Sequence, residues 1–87
     1  MKTKIIINSE VFGEGRSLDE AFEYYKAYCK SSGFIFDREN QDVYKIYDKE
    51  FNVNKDELIL INGCSYTIEA KFIDFENEMI IYHLDEE

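Results

Sequence analysis

The sequence predicts a small single-domain α+β fold: one amphipathic helix laid on a mostly antiparallel sheet, two layers, in the order β-α-β-β-β-β-β. Three observations carry this. Only Leu18 to about Ser31 places apolar residues at three- and four-residue spacing behind a capping signal. Several short runs rich in Ile, Tyr, Phe and Val are bounded by turn residues, and one pair of them flanks Asn62-Gly63. Finally, 87 residues fit one domain and no more.

The first strand is expected over Lys4 to Phe12, with the triple Ile5-Ile6-Ile7 marking a central strand covered on both faces. Gly13-Glu14-Gly15 breaks it. Ser17-Leu18-Asp19-Glu20 is a capping box, in which the Ser17 hydroxyl accepts from the Glu20 N–H and the Glu20 side chain reaches back. Leu18, Ala21, Phe22, Tyr25, Tyr28 and Cys29 then form one apolar stripe, and Gly33 is the stop signal.

Phe34-Ile35-Phe36 is a short strand, 37–42 a polar turn, and 43–48 another strand. The loop 49–56 follows, with Phe51 and Val53 expected to be pinned to the core. Strands at 58–61 and 64–72 flank Asn62-Gly63, where both residues tolerate the positive φ of a type I′ turn. In the second of these strands Cys64, Tyr66, Ile68, Ala70 and Phe72 alternate with polar residues, which predicts one buried and one wet face. A turn at 75–78 leads to a last strand, 79–84. Asp85-Glu86-Glu87 reads as a frayed acidic tail.

A hydrophobic share of 45% argues for a folded chain despite the charge. The net charge of −9 disfavours direct contact with a nucleic-acid backbone or an anionic membrane. It permits binding to basic protein surfaces. Two cysteines without metal-ligand spacing read as free thiols of a reducing, cytoplasmic compartment. The apolar run at the N-terminus is too short for a signal peptide or a membrane span.

Chemistry-bearing motifs are scarce. Gly13-Glu14-Gly15-Arg16-Ser17 joins a strand to a helix but lacks both the third glycine of a dinucleotide loop and the Gly-Lys-Ser/Thr of a P-loop. Asn52, Asn54, Asp56 and Glu57 lack the central glycine of a calcium loop. The one histidine, His83, has no nucleophile near it in sequence. No enzyme, metal or cofactor is expected. Gly15 to Ala21 resembles the Gly-x-Ser/Thr-x-x-Glu-Ala stretch that opens HicB-type antitoxin domains over seven residues, although the helix here follows the first strand, unlike that family, and no role is carried over.

If successive elements run up and down, alternate connections lie at the same end of the domain. One end then collects Glu10, Glu14, Asp37, Glu39, Asp42, Asp85, Glu86 and Glu87, with Asp19 and Glu20 at the helix start, against only Arg16 and Arg38. Tyr44 and Tyr82 join them as candidate contact residues, since four strand and helix tyrosines are hard to bury at once. In size, acidity and Ile/Lys/Glu/Asn-rich composition the chain resembles small acidic phage inhibitors of the anti-CRISPR and DNA-mimic kind. That resemblance implies a cytoplasmic inhibitor occupying a basic, nucleic-acid-binding surface of a partner protein. An antitoxin or immunity protein on a basic nuclease, and an acidic structural module, are the alternatives.

Overall fold

The computed structural model describes residues 1–7, 17–40, 42–61 and 63–86, the side chains of Tyr28 and Glu86 excepted. Six strands form one mixed sheet: β1 (Lys2–Ile7), β2 (Ile35–Asp37), β3 (Asp42–Tyr47), β4 (Leu58–Ile61), β5 (Cys64–Asp74) and β6 (Met79–Glu86). They lie in the order β2-β3-β1-β6-β5-β4. Every neighbouring pair is antiparallel except β1 and β6. The element order is the expected one, but the sheet curls into a half-barrel, so the molecule is mostly sheet rather than two simple layers.

The one α-helix among the described residues, α1 (Leu18–Tyr28), starts as its sequence dictates. The Glu20 N–H donates to Ser17 Oγ at 3.2 Å, while the Ser17 hydroxyl lies 3.3 Å from the Glu20 carboxylate. It ends earlier than expected, giving way to a 3₁₀ turn over Lys30–Ser32 that Gly33 closes at φ 83°. Ala21, Tyr25 and Cys29 are buried, and Phe22 is half-buried. The Tyr25 hydroxyl donates to the Phe34 carbonyl at 2.8 Å, fixing the helix to the chain that enters β2.

β1 is central, but its burial alternates. Thr3, Ile5 and Ile7 are buried against the core, while Lys4 and Ile6 are half-exposed on the other face. The expectation of cover on both faces is corrected, because one helix is too little to cover both sides of six strands. Residues 8–12 of the expected first strand lie outside the described residues.

A second correction concerns β5. The ladder with β6 runs Ile68 opposite Leu84 and then Ala70 opposite His83, so a bulge at Glu69 shifts the register. A one-residue slip exchanges the two faces of a strand. Tyr66 and Ile68 therefore face the core as expected, but Ala70 and Phe72 turn outward, leaving Phe72 54% exposed. β6 is also longer than expected: Asp85 pairs with Thr67 and Glu86 with Tyr66, so neither belongs to a frayed tail, and Glu87 lies outside the described residues.

The long connection 48–57 crosses the mouth of the half-barrel and is held at three points. The Thr3 hydroxyl donates to the Lys49 carbonyl (2.8 Å) and accepts from the Phe51 N–H (2.9 Å). The Tyr82 hydroxyl donates to the Phe51 carbonyl (2.6 Å) and accepts from the Val53 N–H (3.1 Å). The Asp56 N–H reaches the Ile68 carbonyl at 3.3 Å. Phe51 and Val53 are half-buried against the core, as their sequence context implied. Among the described residues no helix is long and apolar enough to cross a membrane.

Candidate interaction face

Because α1 covers the concave side, no described element lies over the convex side of the sheet, and the strand registers define its rows. Asp37 sits opposite Asp42 across β2 and β3. Val43, Ile7 and Leu84 align across β3, β1 and β6, which places Asp42 and Asp85 at one level. Thr67 is opposite both Asp85 and Leu58. Asp37, Asp42, Asp85, Thr67 and Leu58 therefore form a row across one end of the convex face. With strands about 4.8 Å apart, Asp42 and Asp85 stand on the order of 10 Å from each other.

Below this acidic row the face is apolar. Ile35, Tyr44, Ile6, His83 and Ala70 form the next row, and Ile46, Lys4, Ile81 and Phe72 the one after. Ile35 is 53% exposed and Ile46 45%. The ring of His83 meets that of Phe72 edge-on at 5.4 Å, and Lys4 Nζ lies 4.8 Å from the centre of the Tyr44 ring. An uncovered apolar area with a charged rim is the usual form of a protein-binding surface.

The carboxylates differ in what they already do. Asp37 is committed to its own turn: its oxygens accept from the N–H groups of Glu39 and Asn40 (3.0 and 3.3 Å) and from Asn40 Nδ2 (2.9 Å). The Asn40 side-chain bond, first among these, holds the Asp37 carboxyl below its usual range. Asp74 repeats the pattern with Glu76 and Asn77. The sequence Asp-x-Glu-Asn thus builds both the β2–β3 and the β5–β6 hairpin. Asp42 is in the opposite state. Partial burial, and then the charge of Asp37, push its carboxyl above the usual range, with His83 and Lys4 opposing only in part.

Glu39 is exposed in the β2–β3 turn, and Asp19 and Glu20 are exposed in the first turn of α1, where they also favour the helix dipole. Tyr44 lies on the convex face. Tyr82 does not reach a surface: it is 1% exposed, points into the core and spends its hydroxyl on the crossing loop. Glu14 and Glu87 lie outside the described residues, as does the side chain of Glu86. Arg38, one of the two cations expected at this end, lies over the Phe22 ring at 5.2 Å.

The remaining candidates have structural occupations. Asn54 and Glu57 bond to each other through backbone and side chain, closing a turn. No group of three or more His, Cys, Asp or Glu among the described residues is arranged to hold a metal ion. Both thiols are free; burial, with a smaller contribution from Cys64, raises the Cys29 thiol to about 11. Neither the bulge that exposes Phe72 nor the convex apolar rows could be found from strand alternation alone. Compared with protein-family models, curated proteins and solved structures, the chain matches none of them.

Proposed function

We propose that this chain is a small acidic binding protein whose convex sheet face docks on a basic surface of a partner protein, of the kind that holds nucleic acid, and so blocks it. The row of Asp37, Asp42 and Asp85 above an uncovered apolar field carries this reading. Three carboxylates in line match a surface built to receive successive phosphates, and the apolar rows beneath supply the desolvated centre that affinity needs. Asp42 supports it further: a half-buried carboxylate beside another acid gains most from an arriving Lys or Arg. An antitoxin or immunity protein on a basic nuclease would use the same contacts.

The test is capture from lysate by the wild-type chain and by Asp42→Lys combined with Asp85→Lys, at low and at high salt. The reading expects basic proteins bound by wild type at low salt, released by salt, and lost with the double reversal. Identical captured sets for the two proteins, or retention unchanged by salt, sink it. For a captured partner, a DNA or RNA oligonucleotide that binds together with this chain instead of competing excludes mimicry.

A further inference from the structure

α1 covers only one half of the concave face. Over the other half the crossing loop and β4 stand apart and leave an open cavity of about 240 Å³, lined chiefly by Ile5, Tyr47, Phe51, Val53, Ile59 and Ile61. The Tyr82 hydroxyl in its wall is already spent on Phe51 and Val53. Among the described residues no buried side-chain polar atom lacks a partner. Nothing there orients a polar cofactor. An apolar void of roughly 150 Å³ accepts a benzene ring, so this one has room for one large apolar side chain.

The wall made by Ile59 and Ile61 belongs to β4, the last strand of the sheet. Backbone groups alternate in direction along an antiparallel strand. Ile61 closes the two-residue hairpin opposite Cys64, which turns the N–H and C=O of Leu58 and Leu60 away from β5. Edge strands are normally blunted by Lys, Pro or a bulge. Leu58-Ile59-Leu60-Ile61 has none of these, and its outward leucines are 62% and 74% exposed. An edge that no other described strand pairs, beside a side-chain socket, is the arrangement by which proteins capture extended peptides: main-chain bonds hold the strand and the socket selects it.

We propose that an extended segment of a partner protein adds to β4 as a further strand, buries one bulky apolar side chain in this cavity, and carries Lys or Arg at the end that lies beside the start of β4. The charge requirement comes from the approach to β4, where Asp56 and Glu57 immediately precede the strand and are both exposed. A second copy of the chain fits less well. Two chains of −9 repel, and pairing a four-residue strand buries far less than the roughly 1,200 Å² of a stable interface. The inference does not rest on the convex-face reading, since it uses a different surface.

The test is titration of the ¹⁵N-labelled chain with the synthetic peptide acetyl-Lys-Val-Thr-Phe-Thr-Val-Lys-amide. Saturable shifts are expected at Phe51, Val53 and Leu58–Ile61, with the Leu60 amide exchanging at least about tenfold more slowly when bound. Replacing the peptide's Phe by Ala should weaken binding at least about tenfold. So should Val53→Phe, which fills the socket, and Leu60→Pro, which deletes an outward donor. If Leu60→Pro does not fold, Val53→Phe and the altered peptide still decide. Absence of saturation, shifts confined to the convex residues Ile6 and Phe72, or equal binding by Val53→Phe overturns the proposal. So does self-association through β4 that excludes the peptide.

Discussion

At the scale of single residues, one hydroxyl holds the crossing loop. Tyr82 both donates to Phe51 and accepts from Val53, inside the core, so Tyr82→Phe strands a carbonyl and an N–H at once. The cost should be about 1–3 kcal/mol, read from denaturant unfolding, with faster amide exchange at Val53. Asp42 should behave in the contrary way. Its folded-state carboxyl titrates above the unfolded value, so the ionised form is disfavoured by folding. Above that raised range Asp42 reduces stability, and the penalty disappears as pH falls through it. Asp42→Asn should therefore stabilise the chain at pH 7 by less than about 1 kcal/mol, given its partial exposure. The gain should vanish in acid, and a gain independent of pH would show that charge is not its source.

At the scale of elements, turn chemistry decides which substitutions the strands tolerate. Gly63 sits at φ 80° with open space around it, so a side chain there meets strain and no clash. Gly63→Val should cost on the order of 1–2 kcal/mol in thermal unfolding; a neutral result would require the hairpin to adopt another turn. The type I′ assignment also needs Asn62, which lies outside the described residues. The two Asp-x-Glu-Asn turns carry a different lesson. Asp37 and Asp74 are held below their usual range, mainly by Asn40 and Asn77. Their contribution is thus complete above the unfolded carboxylate range and is lost as pH falls through the lowered one. Asp37→Lys should lower the melting temperature, because the lysine cannot accept the turn's three hydrogen bonds. Phe22, only half-buried against Tyr25 and Phe36, packs less deeply than a stripe residue would suggest. Truncation to Ala there should cost less than the 3–5 kcal/mol typical of a fully buried ring.

At the scale of the whole molecule, the two ends of the chain meet in the middle of the sheet. β1 pairs in parallel with β6 from Lys2 opposite Met79 to Ile7 opposite Leu84. Such non-local pairing must meet its loop-closure entropy before any contact rewards it. Refolding should accordingly take milliseconds to seconds, not microseconds, by stopped-flow fluorescence of the tyrosines. A chain ending at Asp74 lacks the strand between β1 and β5 and should show no cooperative unfolding transition; a cooperative one would mean that the remaining strands close the gap without β6.

What the sequence determines by itself is local. Ser17 and Glu20 start the helix, Gly33 closes the 3₁₀ turn that follows it, Asn62-Gly63 marks a hairpin, and the apolar periods distinguish helix from strand; each depends on residues within a few positions, where backbone sterics and capping bonds act. The placing of Asp37, Asp42 and Asp85 towards one end was also legible, because short connections force alternation of direction and the registers of these three residues follow it. Tertiary structure alone decided three things. The bulge at Glu69 turned Ala70 and Phe72 outward, because register is set by the partner strand β6 and not by the alternation within β5. The buried position of Tyr82 came from a loop 31 residues earlier that needed its hydroxyl. The convex apolar face and the cavity beside β4 exist because a single eleven-residue helix is too small to cover a curled six-stranded sheet, and coverage of area is a property of the assembled elements that no stretch of sequence carries.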